Sequence, residues 1–446
     1  MITQRYGDLE LGFTTNFSDQ TGGAAFSFKF WRPTPPAGWW ALGAVASPSG
    51  ALSPQGRNGG LIVRQAPGTG TGLLAQPVDY QYRQRITDGG TASTWRPVPP
   101  AGYVALGDFT HPGLAKPPLN AVACVKKTHG GRDYVRRAEV SRLPFWRLLN
   151  TIDGVTTSGW GIEPPLYPSD DTDEHLFVPT GLFTVAAGWE RPSPTDVTWV
   201  LDLPAIVEKG PGPAVPQLHS HDQPPAQTTV ITDRTVTVPY FMVADAHRDE
   251  KWKVDHSPFY KVRRNRYYEL KLFRNNQQGS EPQTDSEAIE TGVSREQSEA
   301  FTQTTGMSVS ATAGIEVSAK PFGMGATASF STTVSASLEL GYEKRYSVTT
   351  FEHTIVTRSL TTPPKSSGAL WMERHELIPI RADGTQISNN AKLPFRTLYY
   401  HTGQYPPARA TGEHVVYTEL SENGQPLLHQ FGIPVQGPAP EENVIE

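Results

Sequence analysis

Residues 307–340, MSVSATAGIEVSAKPFGMGATASFSTTVSASLEL, alternate small apolar and small polar side chains twice over, with one break between the two runs. A period of two sends successive side chains to opposite faces of a β-strand. In the first run Met307, Val309, Ala311, Ala313, Ile315, Val317 and Ala319 fall on one face, and Ser308, Ser310, Thr312, Gly314, Glu316 and Ser318 on the other. Lys320, Pro321, Phe322 and Gly323 follow, and then the parity flips. Met324, Ala326, Ala328, Phe330, Val334, Ala336, Leu338 and Leu340 are apolar, with Thr332 breaking the series, while Thr327, Ser329, Ser331, Thr333, Ser335, Ser337 and Glu339 lie between them. An antiparallel hairpin closed over 320–323 sets Ala319 opposite Met324, Val317 opposite Ala326, Ile315 opposite Ala328, Ala313 opposite Phe330 and Val309 opposite Val334. Directly opposed residues share a face, so the flip keeps one side apolar and the other hydroxyl-rich. A slip of one residue would mix them.

Such a pair reads first as an edge hairpin of a half-buried sheet. Length separates this segment from that reading. Strands usually run about 5 to 6 residues, whereas the pattern here holds over 13 residues (307–319) and then 17 (324–340). A tilted strand crosses the hydrocarbon core of a bilayer in about 9 to 11 residues, so both arms are long enough to span. The apolar run of about 18 residues that a spanning helix needs is absent from the chain. Membrane insertion would therefore require hairpins that assemble, because an open sheet edge cannot lie in lipid.

The rest of the chain bounds the architecture. Its 446 residues include 41 Gly and 40 Pro, which predicts an all-β protein of two or three domains joined by turns. A net charge of −5 gives no reason to expect nucleic acid as a partner. The basic run KVRRNR (261–266) lies among aromatics and reads as a strand. The single cysteine, Cys124, cannot form an internal disulfide and reads as a buried, inert thiol. The start, MITQRYGDLELGF, has no basic region followed by an apolar stretch, so a soluble protein made without a secretory signal is expected.

Eight of the ten Trp lie in the first 200 residues, and a repeat accounts for part of this. WRPTPPAGWWALGAV (31–45) and WRPVPPAGYVALGDF (95–109) are offset by 64 residues, and WGIEPPLYP begins at Trp160, 65 further on. The third echo keeps the Trp and the Pro-Pro alone. Three units too small to close a core singly predict three sheets about a pseudo-threefold axis, a β-prism-like domain. Trp31 and Trp95 are expected in its core. Trp39, Trp40 and Tyr103 are expected to be exposed and are the candidates for receptor contact.

A boundary is predicted near residue 208. EKGPGPAVPQLHSHDQPPAQ (208–227) reads as a Pro/Gly-rich, semi-rigid linker, in which His219, His221 and Asp222 are too few for a metal site. The expected layout is a targeting domain over 1–207, the linker over 208–227, a second domain over 228–434 and a flexible acidic tail over 435–446. Strand character is predicted for 228–243, 257–273, 287–305, 342–360 and 368–384. Gly306 and Gly341 bracket the alternating segment as candidate hinges, though glycine is common in such strands.

The paired WRPxPPAGxxALG motifs resemble the vacuolar protein sorting-associated family sixty-two across about residues 20–205. The second half is similar in layout to the aerolysin-like β-pore-forming toxins, including the epsilon-toxin and mosquitocidal-toxin group, with long strands flanking a Ser/Thr-rich hairpin. The resemblance implies a soluble monomer that binds a target-cell membrane through a glycan or protein receptor, forms a homo-oligomeric ring and contributes one hairpin per subunit to a β-barrel. It implies no cofactor or metal. In such a barrel the apolar set from Met307 to Leu340 faces lipid and the hydroxyl set from Ser308 to Glu339 lines water. Phe322 and its neighbours Lys320, Pro321 and Gly323 form the leading tip. Glu316 and Glu339, repeated around a ring, favour cations, with Lys320 opposing them. Proteolytic activation would fall in 275–287 or in the C-terminal tail.

Two other classes compete with this reading. No nucleophile elbow, phosphate-binding glycine loop, zincin helix or paired Cys motif occurs, which argues against an enzyme. The alternative is a lectin-like carbohydrate-binding protein without pore activity, with turns such as 58–60, 88–90 and 129–131 as shallow sugar sites. A binding-only protein has no use for a hairpin of membrane-spanning length.

Overall fold

The computed structural model describes residues 1–19, 28–48, 59–86, 91–150, 155–163, 165, 175–178, 182–310, 314–319, 332–334, 353–408 and 412–420. Strands dominate these residues, as the alternating patterns predict. Among the described residues of the first 190, three of the antiparallel three-stranded sheets share one plan. The first has Phe28–Pro33 between Phe17–Asp19 and Val45–Pro48, the second Ala92–Val98 between Asp79–Ile86 and Phe109–Pro112, and the third Val155–Glu163 between Glu139–Asn150 and Phe183–Ala187. Trp31, Trp95 and Trp160 occupy the middle strands, and all three are buried. Trp160 thus holds the same place in its sheet as Trp31 and Trp95 hold in theirs.

Local chemistry repeats with the strands. Trp95 Nε1 donates to Ser93 Oγ at 2.8 Å, and Ser93 Oγ donates to the Gly113 carbonyl at 2.6 Å. Trp160 Nε1 donates to Ser158 Oγ at 2.8 Å, and Ser158 Oγ donates to the Gly188 carbonyl at 2.7 Å. A serine two residues before the Trp lets a buried indole N–H find a partner, as burial requires. The three sheets meet in one apolar cluster that includes Phe30, Trp95, Phe109, Trp146 and Phe183. Phe30 lies 5.0 Å from Trp146 and 5.3 Å from Phe183, ring centre to ring centre.

The second half is built on a five-stranded antiparallel sheet in the order Ile206–Lys209, Ile231–Pro239, Phe259–Asn275, Ser367–Ile380, Leu393–Tyr405. Its central strand runs for 17 residues and pairs along a 14-residue neighbour. A smaller sheet, Gln283–Thr291, Thr354–Thr362 and Val416–Leu420, lies beyond it. The KVRRNR run lies within the central strand, and Arg264 and Arg266 both donate to Asp233.

Two expectations are corrected here. Of the segment predicted as linker, Glu208 and Lys209 complete an edge strand, and Leu218 is buried against Tyr268, Ala369 and Trp371. Backbone bonds from Thr228 N to Tyr268 O (2.8 Å) and Leu270 N to Ala226 O (2.8 Å) tie its far end to the sheet. Residues 287–305 are not one strand: Gln283–Thr291 is followed by an α-helix, Arg295–Thr305. The two halves also share a core. Phe13 packs against Tyr240 at 5.0 Å and Phe259 at 5.6 Å, and one continuous cluster holds Tyr6, Leu11 and Leu203 with Val238, Tyr260 and Phe395.

Candidate membrane-insertion segment

The alternating segment is rooted by the helix Arg295–Thr305. Its start is a capping box: Ser294 Oγ accepts from Gln297 N at 3.2 Å, and Ser294 N donates to Gln297 Oε1 at 3.1 Å. Its end is Gly306, in the left-handed region at φ 71°, where glycine carries no steric penalty. The candidate hinge is therefore a helix stop. A Cβ on Gly306 would lie 3.1 Å from Ala244 Cβ, and Ala244 N donates to the Thr305 carbonyl at 2.7 Å. Met307, first of the apolar set, has 0 % exposure and belongs to the core shared by the two halves.

From Met307 the backbone forms a small antiparallel sheet of three strands, Met307–Ser310, Gly314–Ala319 and Thr332–Val334. Cα partners in the first pair are Met307↔Val317, Ser308↔Glu316, Val309↔Ile315 and Ser310↔Gly314. In the second they are Val317↔Val334, Ser318↔Thr333 and Ala319↔Thr332. Two points differ from the sequence-based hairpin. The first arm is not continuous, because the chain reverses between Ser310 and Gly314. Val317 meets Val334 instead of Ala326, and Ala319 meets Thr332 instead of Met324. Both registers nevertheless oppose odd positions of the first run to even positions of the second. The tip 320–323, positions 311–313, 324–331 and 335–340, and Gly341 lie outside the described residues.

The candidate receptor contacts are placed differently from one another. Trp39 is buried at 8 % exposure, which corrects its predicted exposure. The Pro-Pro-Ala-Gly turn, closed by Trp39 N to Pro36 O at 3.1 Å, folds the ring inward. There the Arg64 guanidinium lies 4.7 Å from the ring centre while donating to Glu10. The same turn recurs at Tyr103 N to Pro100 O, 3.0 Å. Tyr103 and Trp40 are half-buried, and the Tyr103 hydroxyl donates to the Gly72 carbonyl. Cys124 is buried and free, and burial pushes its thiol up to about 12. His219 is exposed and His221 half-buried, with Nδ1 3.0 Å from Ser367 Oγ. Among the described residues no group of three or more His, Cys, Asp or Glu is placed to hold a metal ion, and no helix is long and apolar enough to cross a membrane.

Residues 231–390 match a family model described as insecticidal crystal toxin, P42. The match runs from the second strand of the five-stranded sheet to just before its fifth, and so takes in the capped helix and the whole alternating segment. Two solved structures align at low similarity. GNIP1Aa from Chromobacterium piscinae is 18 % identical over 42 % of this chain and 35 % of that one, with a TM-score of 0.31. Cry35Ab1 is 13 % identical over 64 % of this chain and 71 % of that one, with a TM-score of 0.30. This chain spans about a third (35 %) of the length of the GNIP1Aa structure. No curated protein matches. The described residues thus form an almost wholly β architecture, and within it the part over residues 231–390 carries the toxin-family match. That part of the chain is similar to the insecticidal crystal toxins of the P42 kind.

Proposed function

We propose that this protein is a pore-forming toxin, active from outside on target-cell membranes, of which each subunit of a membrane-bound ring inserts residues 307–340 as one hairpin of a β-barrel. The observation that carries the reading is the two-residue alternation over two arms, each longer than a bilayer crossing requires. Closure of the barrel satisfies every backbone group and removes the edges. The set Met307, Val309, Ile315, Val317 and Val334, with its continuation to Leu340, faces lipid. Ser308, Ser310, Glu316, Ser318 and Thr333, with their continuation to Glu339, line the pore. The β-rich first 207 residues find the target surface, with Trp40 and Tyr103 as half-buried aromatic candidates.

The test is a series of single cysteines from 307 to 340 carrying a polarity-sensitive dye, read during dye release from vesicles of insect gut membranes. The emission is expected to alternate between apolar and aqueous values with a period of two. A flat profile on leaking vesicles, or binding with no leakage, removes the proposal.

A further inference from the structure

We infer that the contact between Gly59 and Tyr240 is a clamp that ties the first part of the chain to the root of the alternating segment, so that shifting the one frees Met307. The inference rests on the insertion proposed above and adds to it the place where release begins.

Tyr240 is 1 % exposed, and its hydroxyl both accepts from Gly59 N at 2.8 Å and donates to Gly59 O at 3.1 Å. A Cβ at position 59 would stand 2.4 Å from Val254 Cγ2 and 2.9 Å from Tyr240 Oη, so the approach is open to glycine alone. The Phe13 ring closes the other side, edge-on at 5.0 Å. Apolar faces alone can slide past one another. A phenol that both donates to and accepts from one peptide unit fixes the two parts in a single position.

The contact leads directly to the segment. Tyr240 opens the short turn Tyr240–Met242. Two residues past that turn, Ala244 N holds the last carbonyl of the capped helix. Gly306 is pressed against Ala244, and Met307 is buried in the same cluster as Phe13, Tyr240 and Met242. The strand Gly314–Ala319 runs beside that same turn. From Gly59 to Met307 each step is thus a buried contact or a hydrogen bond, and packed interiors of this kind pass on a displacement instead of absorbing it.

The experiment is hydrogen exchange by mass spectrometry on the full soluble chain, wild type against Tyr240→Phe, with dye release from insect gut membrane vesicles run in parallel. Phenylalanine keeps the ring and loses the two hydrogen bonds, so the fold should survive. Gly59→Ala, which forces the contact apart, is the second variant. Exchange is expected to rise about tenfold both at 59–61 and at 305–309, with leakage starting sooner. Faster exchange at 59–61 with none at 305–309 overturns the clamp, and so does no change at either place. Coupled exchange with no leakage from any variant or from wild type supports the clamp and removes the pore reading instead.

Discussion

Asp245 and Arg381, 136 residues apart in sequence, close the base of the five-stranded sheet through a pair that no local pattern announces. Asp245 is buried and accepts from Arg381 Nε at 2.7 Å, Arg381 Nη2 at 3.1 Å and Tyr260 Oη at 3.0 Å. Burial alone would raise its pKa, but the guanidinium and the phenol prevail and hold the carboxyl below its ordinary value. Removing the cation would leave that charge buried and uncompensated. Arg381→Met is therefore expected to lower the unfolding free energy by about 3 to 5 kcal/mol, measured by urea titration. A second network joins Asp233, Arg264, Arg266, Glu373 and His375. Arg266 Nε donates to Glu373 Oε1 at 2.8 Å, and His375 Nε2 lies 2.5 Å from the same oxygen. Burial keeps His375 below its ordinary pKa despite that carboxylate. Glu373 and Asp233 are also held low, their burial outweighed by His375 and Arg266 in one case and by Arg264 and Arg266 in the other. A histidine depressed in the folded state leaves the unfolded chain to take up protons first, so stability falls as pH drops below roughly 6.5. The depressed carboxylates add loss in the same direction below roughly 4.5. His375→Gln is expected to flatten the melting temperature against pH between roughly 6.5 and 5, leaving the steeper acid limb. His111 and His401, also lowered by burial, keep a remnant of the upper slope.

Element by element, legibility followed how much of the physics is local. The long strands Phe259–Asn275 and Ser367–Ile380 were readable because a period of two in the side chains is the direct imprint of a sheet. The third repeat was only faintly readable. What Trp160 shares with Trp95 is a serine two residues earlier and the carbonyl that serine reaches, whereas the proline frame used for matching lies outside that contact. The burial of Trp39 is not legible locally, because the turn that buries it brings in Arg64 and Glu10 from other strands. The helix Arg295–Thr305 reads as strand in the sequence for a different reason: only Phe301 and Thr305 of its eleven residues are buried, so it has almost no apolar stripe to betray a period of 3.6. Its signal was Ser294-x-x-Gln297 followed by Gly306, the start and stop of a helix. With so little buried surface, that cap carries much of the helix's stability. Ser294→Ala is expected to cost about 1 kcal/mol, seen as faster amide exchange across 295–305 with the five-stranded sheet unaffected.

At the scale of the whole molecule, the inserted form proposed above would differ from the structure in connectivity while keeping the same faces. The structure opposes Val309 to Ile315 and Val317 to Val334. A spanning arm instead requires 307–319 to run as one strand, with the reversal between Ser310 and Gly314 removed. Moving the second pair from Val317↔Val334 to Val317↔Ala326 shifts the register by an even number of residues. A shift of two or any multiple keeps each face intact, where a shift of one would exchange them. Under the proposed function the alternation would serve both states, and it makes the faces legible in the sequence but not the register of the structure. Under the proposed function, holding the reversal closed should stop insertion while leaving the soluble fold alone. Opposed residues of an antiparallel pair stand about 4.5 to 5.5 Å apart at Cα, within the span of a disulfide, and the buried Cys124 will not compete. The double variant Val309→Cys/Ile315→Cys is expected to release no dye when oxidised and to recover wild-type release on reduction, with each single variant active throughout. Leakage from the oxidised form would mean that the reversal survives in the pore, and the continuous arm would have to be abandoned.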